Sequence, residues 1–123
     1  MITSKSEIYL KKLLNEFLPG LDFIDNFRPD WLCNPKTGKN LELDRYYPEI
    51  GLGIEFNGPQ HRRGNNYYQW AKDKIKTKLC GNQGVTRMVF YYKELKREII
   101  AKKLQDYIRM RVGWLEGKSY TRN

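Results

Sequence analysis

The apolar and polar residues of the chain recur with two different periods, which predict its helices and strands. From Ser4 to Leu18, leucines recur every three or four residues, the spacing of an amphipathic helix. Ser4 stands three residues before Glu7, which is the spacing of a capping box at a helix start. Two further helices are predicted over residues 67–80 and 94–112, where apolar residues again form one stripe.

Alternation of apolar and polar residues predicts strands between these helices. Segments 41–47 and 50–57 alternate and are joined by a short turn, so we expect them to pair as antiparallel neighbours. A short strand or an extended lead-in is expected over 22–27, and residues 31–33 are expected to form a hairpin with 41–47. Segment 85–92 has few polar residues on either face, which predicts a central strand covered on both sides.

The element order is therefore helix, three strands in a meander, helix, strand, helix. This order predicts an α/β fold, a three-layer sandwich in which helices flank a mixed central sheet of about four strands. The length of 123 residues suits one domain, which we expect to span residues 1–115, followed by a polar tail at 116–123.

The charge of the chain favours a polyanionic partner. It has 23 lysines and arginines against 14 acidic residues, a formal net charge of +9, spread over its whole length. Nucleic acid is the partner that such a charge favours, the alternative being a basic protein without a polyanionic partner. Cys33 and Cys80 lie far apart without a histidine cluster, which argues against a zinc site and fits a reducing compartment. Since no signal peptide or membrane span is visible, a cytoplasmic location is expected.

Two carboxylates on the predicted neighbouring strands are the first candidates for chemistry. Glu55 lies opposite the apolar face of Leu52, Ile54 and Phe56, and Asp44 lies on the polar face of the strand before it. If the strands pair, both carboxylates can converge on one face. Convergent carboxylates bind a hard cation such as Mg²⁺ and leave positions open for water and phosphate oxygens. The alternative is a pair of ordinary strand carboxylates facing solvent.

Asp44, Glu55 eleven positions later, and the helix-first mixed sheet resemble the PD-(D/E)XK nuclease superfamily. More narrowly, the pattern resembles the branch that contains the very-short-patch-repair endonuclease and a group of phage homing endonucleases. That branch has a helix glutamate, a strand aspartate, a histidine after the next strand and an aspartate on the following helix. This chain offers the four in the same order, as Glu7, Asp44, His61 and Asp73.

The resemblance implies a restriction-endonuclease-like fold and metal-dependent hydrolysis of phosphodiester bonds in DNA, of homing, repair or nicking type. It implies Mg²⁺ or Mn²⁺ held by Asp44 and Glu55, aided by the main chain near Phe56. His61 would be the general acid or base, and Glu7 and Asp73 would complete the catalytic set. Double-stranded DNA is the expected partner, and a homodimer or a partner protein could supply specificity.

Two departures leave alternatives open. The common motif has a lysine two residues after the acidic residue, where this chain has Asn57, so His61, Gln60 or a helix lysine takes that role, or activity is low. A literal Pro-Asp at Asp30, followed by Glu42-x-Asp44, gives a second alignment. It ranks lower because it leaves Glu55, His61 and Asp73 without roles.

Six side chains are expected to contact nucleic acid: Asn57, Gln60, Arg62, Arg63, Lys72 and Lys76. Tyr67, Tyr68 and Trp70 interleave with basic residues and could stack on an unpaired base or wedge a duplex. The alternative is a solvated helix with core aromatics, which is expected for at least Tyr68. Two other functions stay open, a non-catalytic nucleic-acid-binding module, which Asn57 favours, and a Holliday-junction resolvase.

Overall fold

The computed structural model describes residues 4–58 and 66–115. Its elements are α1 (Lys5–Phe17), β1 (Ile24–Phe27), β2 (Leu43–Tyr47), β3 (Leu52–Asn57), α2 (Asn66–Asn82), β4 (Thr86–Tyr91) and α3 (Arg97–Leu115). The predicted order of helices and strands is confirmed, as is the α/β class. The predicted polar tail lies outside the described residues.

The four strands form one mixed sheet in the order β1-β2-β3-β4. β1 and β2, and β2 and β3, are antiparallel, whereas β3 and β4 run parallel and are connected through α2. The prediction that segment 85–92 is central is wrong, because in the described sheet β4 pairs only with β3. Phe90 is completely buried, but residues 86–89 are half-buried and Tyr91 is exposed, so an apolar composition fixes neither full burial nor a strand's place in the sheet.

The expected hairpin of residues 31–33 with 41–47 is confirmed only as a chain reversal, and the strand that pairs with β2 is β1. β1 pairs with β2, with Ile24 opposite Tyr46 and Phe27 opposite Leu43, and the predicted extended segment 22–27 is thereby confirmed as a strand. The rings of Phe27 and Tyr46 stack with centroids 4.4 Å apart. Residues 31–40 form this reversal, in which a bridge joins Cys33 to Asn40 and the Leu41 amide donates to the Leu32 carbonyl at 2.7 Å. Turn residues in the sequence predict where the chain reverses. Which strand pairs with β2 depends on side-chain packing, such as the stacking of Phe27 on Tyr46.

An apolar cluster joins α2 to the sheet. Its buried members are Leu32, Leu41, Leu43, Cys80 and Val85, and Phe27, Trp31, Tyr46, Ile75 and Leu79 pack around them. A Cβ atom at Gly53 of β3 would lie 2.7 Å from Cδ1 of Leu43, so a larger residue there would displace that side chain. The β-sheet and α2 are therefore fixed to each other through contacts that admit little change in volume.

The chain divides into two compact units, one of them Gly20–Tyr92, with the sheet and α2, and the other containing α1 and α3. The Oγ atom of Ser4 accepts a hydrogen bond from the Glu7 amide at 3.1 Å, which confirms the predicted cap. Arg97 of α3 pairs with Glu16 of α1 at 2.7 Å and lies over the Phe17 ring. No described helix is long and apolar enough to cross a membrane.

Candidate functional site

Glu55 is a buried carboxylate on β3, with 7% of its surface exposed. Its Oε1 accepts a hydrogen bond from Nζ of Lys76 at 2.8 Å, and its Oε2 accepts one from Nε of Arg87. Lys76 is 9% exposed and also donates to the carbonyl oxygen of Glu42 at 2.9 Å. A cation from α2 and a cation from β4 therefore both donate to the Glu55 carboxylate of β3.

The charges continue to Asp73 on α2. Its Oδ1 accepts a hydrogen bond from Nη2 of Arg87 at 3.0 Å and another from Nε2 of Gln69, also at 3.0 Å. Arg87 further donates to Oγ1 of Thr77 at 3.1 Å. The ion cluster, as we name Glu55, Asp73, Lys76 and Arg87, thus contains two carboxylates and two cations, linked in the order Lys76, Glu55, Arg87, Asp73.

The sequence places these four residues together through simple periodicities. Asp73 and Lys76 are three residues apart on α2 and so share a face of the helix. Glu55 and Gly53 share a face of β3, and Arg87 is the register partner of Gly53 on the parallel strand β4. Sequence reasoning missed Arg87. The signal was an arginine within an apolar strand, since a buried guanidinium needs partners.

Asp44 lies on β2, beside the main chain that follows Glu55. Its Oδ2 accepts a hydrogen bond from the Phe56 amide at 2.7 Å. Arg45 is the register partner of Ile54, so Asp44 and Glu55 are the next positions along the two strands. The prediction that the two acidic residues occupy neighbouring antiparallel strands is confirmed, and the convergence of their carboxylates on one cation stays a prediction.

The donor set can be compared with the needs of Mg²⁺. This ion binds through one or two carboxylates plus water and substrate phosphates, so Asp44 and Glu55 are donors of the right kind. Within residues 4–58 and 66–115, no three histidine, cysteine or acidic side chains form a group that could hold an ion. A two-carboxylate site fits this chemistry, and in it the ion would share Glu55 with Lys76 and Arg87.

The remaining predicted residues are distributed as follows. Glu7 belongs to α1, where its carboxylate lies 3.3 Å from Nζ of Lys11. Asn57 is buried at the end of β3, whereas Lys72 is exposed on α2. Lys76, expected at a DNA-contacting surface, is directed inward to Glu55. Gln60, His61, Arg62 and Arg63 lie outside the described residues.

The second alignment, through Asp30, places its residues differently. Asp30 is exposed in the turn in which the Leu32 amide donates to the Pro29 carbonyl. Glu42 accepts a hydrogen bond from Nδ2 of Asn26 at 2.8 Å and pairs with Arg28 at 3.5 Å. The buried charges are therefore those of the first alignment, at Glu55, and not those at Asp30.

The aromatic residues of α2 require a correction. Tyr68 was expected in the core, yet 71% of its surface is exposed. Contacts of α2 with the apolar cluster come from Ile75, Leu79 and Cys80, in the second half of the helix. A stripe extrapolated over the whole helix therefore overestimates how far the buried face extends.

Cys80 adjoins the ion cluster and is completely buried. Burial raises the pKa of its thiol to about 11, while the charge of Arg87 lowers it and that of Glu55 raises it. The thiol is therefore neutral near pH 7, which is the chemistry of a small apolar core residue.

Comparison with known proteins identifies two viral relatives. The chain is 42% identical over 67 residues to the uncharacterized protein 033L of Invertebrate iridescent virus 3, an alignment that covers 47% of this chain and 34% of that protein. It is 38% identical over 73 residues to the uncharacterized protein 307L of Invertebrate iridescent virus 6, covering 48% of this chain and 37% of that protein. The chain thus spans about a third of the length of each relative. No family model and no solved structure matches.

Proposed function

We propose that this chain is a metal-dependent DNA endonuclease that hydrolyses phosphodiester bonds. The observation that carries the proposal is the buried ion pair between Glu55 on β3 and Lys76 on α2, 2.8 Å apart, with Glu55 on the strand next to that of Asp44. Burying charged groups costs free energy that apolar residues of similar volume would not, and such clusters concentrate where chemistry requires them. The net charge of +9 favours a polyanionic substrate.

Lys76 could take the role of the lysine that the common nuclease motif has and that this chain lacks at Asn57. The motif's lysine position is Asn57, which is buried at the end of β3. Lys76 reaches Glu55 from α2 instead, so a helix lysine supplies an ammonium group beside the acidic residue. Of the alternatives that the sequence left open for this role, His61 and Gln60 lie outside the described residues, and the Lys76–Glu55 contact supports the helix lysine.

Each residue then has a distinct part in the proposed reaction. Asp44 and Glu55 would hold the cation, which when bound would polarise the phosphoryl group and lower the pKa of an attacking water. Lys76 would place its ammonium group beside a phosphate oxygen, where it would stabilise developing negative charge. Arg87 fixes the second oxygen of Glu55 and so orients the carboxylate.

The test is nicking of supercoiled plasmid in Mg²⁺ or Mn²⁺, with EDTA as the blank. Asp44→Asn keeps an oxygen that can accept the Phe56 amide, and Glu55→Gln keeps one that can accept Lys76, so both should fold. Each should lower cleavage about 100-fold or more while DNA binding persists, because even outer-shell partners of a metal site contribute 10- to 100-fold. Asp106→Asn, which breaks an exposed pair with Lys102, is matched in charge and should cleave normally.

A second function is favoured by one specific observation. Both oxygens of Glu55 are engaged by cations of the protein itself, as expected if the residue serves only to join α2 to the sheet. The chain would then be a nucleic-acid-binding module without catalysis. Wild-type protein that leaves the plasmid intact with both metals, yet shifts DNA in a salt-dependent manner, would establish this module and overturn the nuclease.

A further inference from the structure

Three aromatic side chains at the start of α2 are exposed together. The exposed fractions are 63% for Tyr67, 71% for Tyr68 and 56% for Trp70. The ring of Tyr67 lies 5.9 Å from that of Tyr68 and 6.0 Å from that of Trp70, measured between centroids. Neighbouring large aromatic side chains in solvent are a common feature of binding surfaces.

Two lysines follow Tyr67 and Trp70 on the same face of α2. Tyr67, Trp70, Lys74 and Lys78 are separated by three, four and four residues, so they lie within an arc of about 80° on one face of the helix. Nζ of Lys74 lies 4.8 Å from the centre of the Trp70 ring, and both lysines are exposed. This aromatic-basic stripe extends about 16 Å along the helix axis.

The stripe is separate from the ion cluster. Lys76 lies on the opposite side of α2 from Lys74 and Lys78, and it is buried against Glu55. The inner face of α2 therefore carries the candidate catalytic charges, and its outer face carries exposed aromatic rings and exposed lysines. The proposed reaction uses only the inner face.

We propose that the aromatic-basic stripe binds DNA with unpaired bases, either single-stranded or in a gap. Exposed rings stack on bases whatever the sequence, and neighbouring lysines neutralise the phosphates. Such stacking is open to an unpaired base, whereas the bases of an intact duplex are already stacked on each other. The inference rests on DNA being the partner in the proposed function and adds a substrate class, DNA that contains a single-stranded stretch.

A membrane surface is the other partner to which tyrosine, tryptophan and lysine are suited. A helix that lies in a membrane interface also presents bulky aliphatic residues on its apolar face. Here the aliphatic residues of the helix, Ile75 and Leu79, pack into the apolar cluster with Cys80. The stripe contributes rings and cations without aliphatic residues, which favours bases and phosphates.

The experiment is fluorescence anisotropy with labelled oligonucleotides in EDTA, so that no cleavage occurs. The full chain is titrated at fixed salt with a single strand, the matching duplex, and that duplex with a gap of unpaired nucleotides. Wild type should bind the single strand and the gapped duplex more tightly than the intact duplex. The double variant Tyr67→Ala with Trp70→Ala should lose about tenfold or more on these two ligands and little on the duplex.

Two controls isolate the rings. The double variant Tyr67→Phe with Trp70→Phe keeps both aromatic faces and should bind within about twofold of wild type. Tyr9→Ala removes an exposed tyrosine from α1 and should change nothing. Equal losses on all three ligands or a wild-type preference for intact duplex would each overturn the inference. The two alanine substitutions are also tested on phosphatidylserine vesicles, and a loss of vesicle binding with normal binding to all three DNAs would overturn it as well. The nuclease proposal fails separately: absent cleavage with the single-strand preference intact would refute the nuclease alone.

Discussion

The sheet buries two arginines, and their surroundings differ in kind. Arg45 on β2 pairs with Asp25 at 2.6 Å, and its guanidinium lies 3.7 Å from the centre of the Phe23 ring. Arg87 on β4 instead meets two carboxylates, one of which, Glu55, also binds a lysine. Arg45 is accommodated by one carboxylate, the Tyr47 hydroxyl and aromatic rings, whereas Arg87 lies among further charges. The first arrangement suffices for structure, so the second suggests a use for its extra charges.

The pKa values of Arg45 and Tyr47 are both shifted by their buried surroundings. Burial alone would lower the pKa of Arg45, but hydrogen bonds to Asp25 and Tyr47 outweigh it, so that the pKa is raised. Burial raises the pKa of Tyr47, which accepts a hydrogen bond from Nη1 of Arg45 at 3.2 Å. The cation therefore stays charged and the phenol neutral across neutral pH, and this group has no proton to exchange in that range.

The largest expected effect is a loss of stability on removal of Glu55, the carboxylate that Arg87 shares with Lys76. Glu55→Ala should lower the free energy of unfolding by about 3–5 kcal/mol, because it leaves Lys76 and Arg87 as buried cations without their shared carboxylate. Urea unfolding at pH 7 measures it. Glu42→Ala removes a partly exposed carboxylate whose pair with Arg28 is 3.5 Å long, and should cost less than about 1 kcal/mol. Equal losses in the two variants would mean that the ion cluster contributes no more to stability than an exposed pair.

The second prediction concerns Arg45 itself. Arg45→Ala should cost about 2–3 kcal/mol through the loss of a charged hydrogen bond and the contact with Phe23. Arg45→Met should cost about half as much, since it keeps an apolar stem and leaves Asp25 partly exposed to water. The comparison is made by urea unfolding. If methionine were as harmful as alanine, the charge of Arg45, and not its packing, would dominate, and the two arginines would be alike.

These two sites show which features a sequence can and cannot specify. Alternation placed Asp44 and Glu55 on adjacent strands, because strand periodicity and a short turn are local properties. Arg87 could not be assigned to Glu55, since the parallel register of β3 and β4 is set by α2 packing over the sheet. The exposure of Tyr68 was missed for the same reason, because where a helix leaves its contact surface depends on tertiary structure.

A third prediction tests the close packing beside the ion cluster. Gly53→Ala should cost about 1–3 kcal/mol, since its Cβ would meet Leu43 at 2.7 Å. Adding Leu43→Val shortens the opposing side chain and should recover part of the loss, so that the double variant is less unstable than the sum of the single ones. Chemical denaturation of the three variants measures this coupling. Strict additivity would mean that the strands move apart instead.

The smallest expected effect uses Cys80 as a reporter of the charges beside it. Its pKa is raised from 9.0 to about 11 chiefly by burial, and the charge of Glu55 adds to the rise. Because the folded thiol holds its proton more tightly, its contribution to stability is complete below pH 9 and is lost between pH 9 and 11. Glu55→Gln should lower the pKa of Cys80, whereas Arg45→Met should leave it unchanged.

Carbon-13 chemical shifts of the cysteine Cβ, followed from pH 8 to 11, measure this ionisation without requiring reagent access to a buried thiol. An unchanged pKa of Cys80 in Glu55→Gln would mean that the ion cluster rearranges so that the electrostatic potential at the thiol stays the same. In that case Lys76 or Arg87 would have moved away from residue 55 and from Cys80. These cations would then be mobile groups that can contact a phosphate.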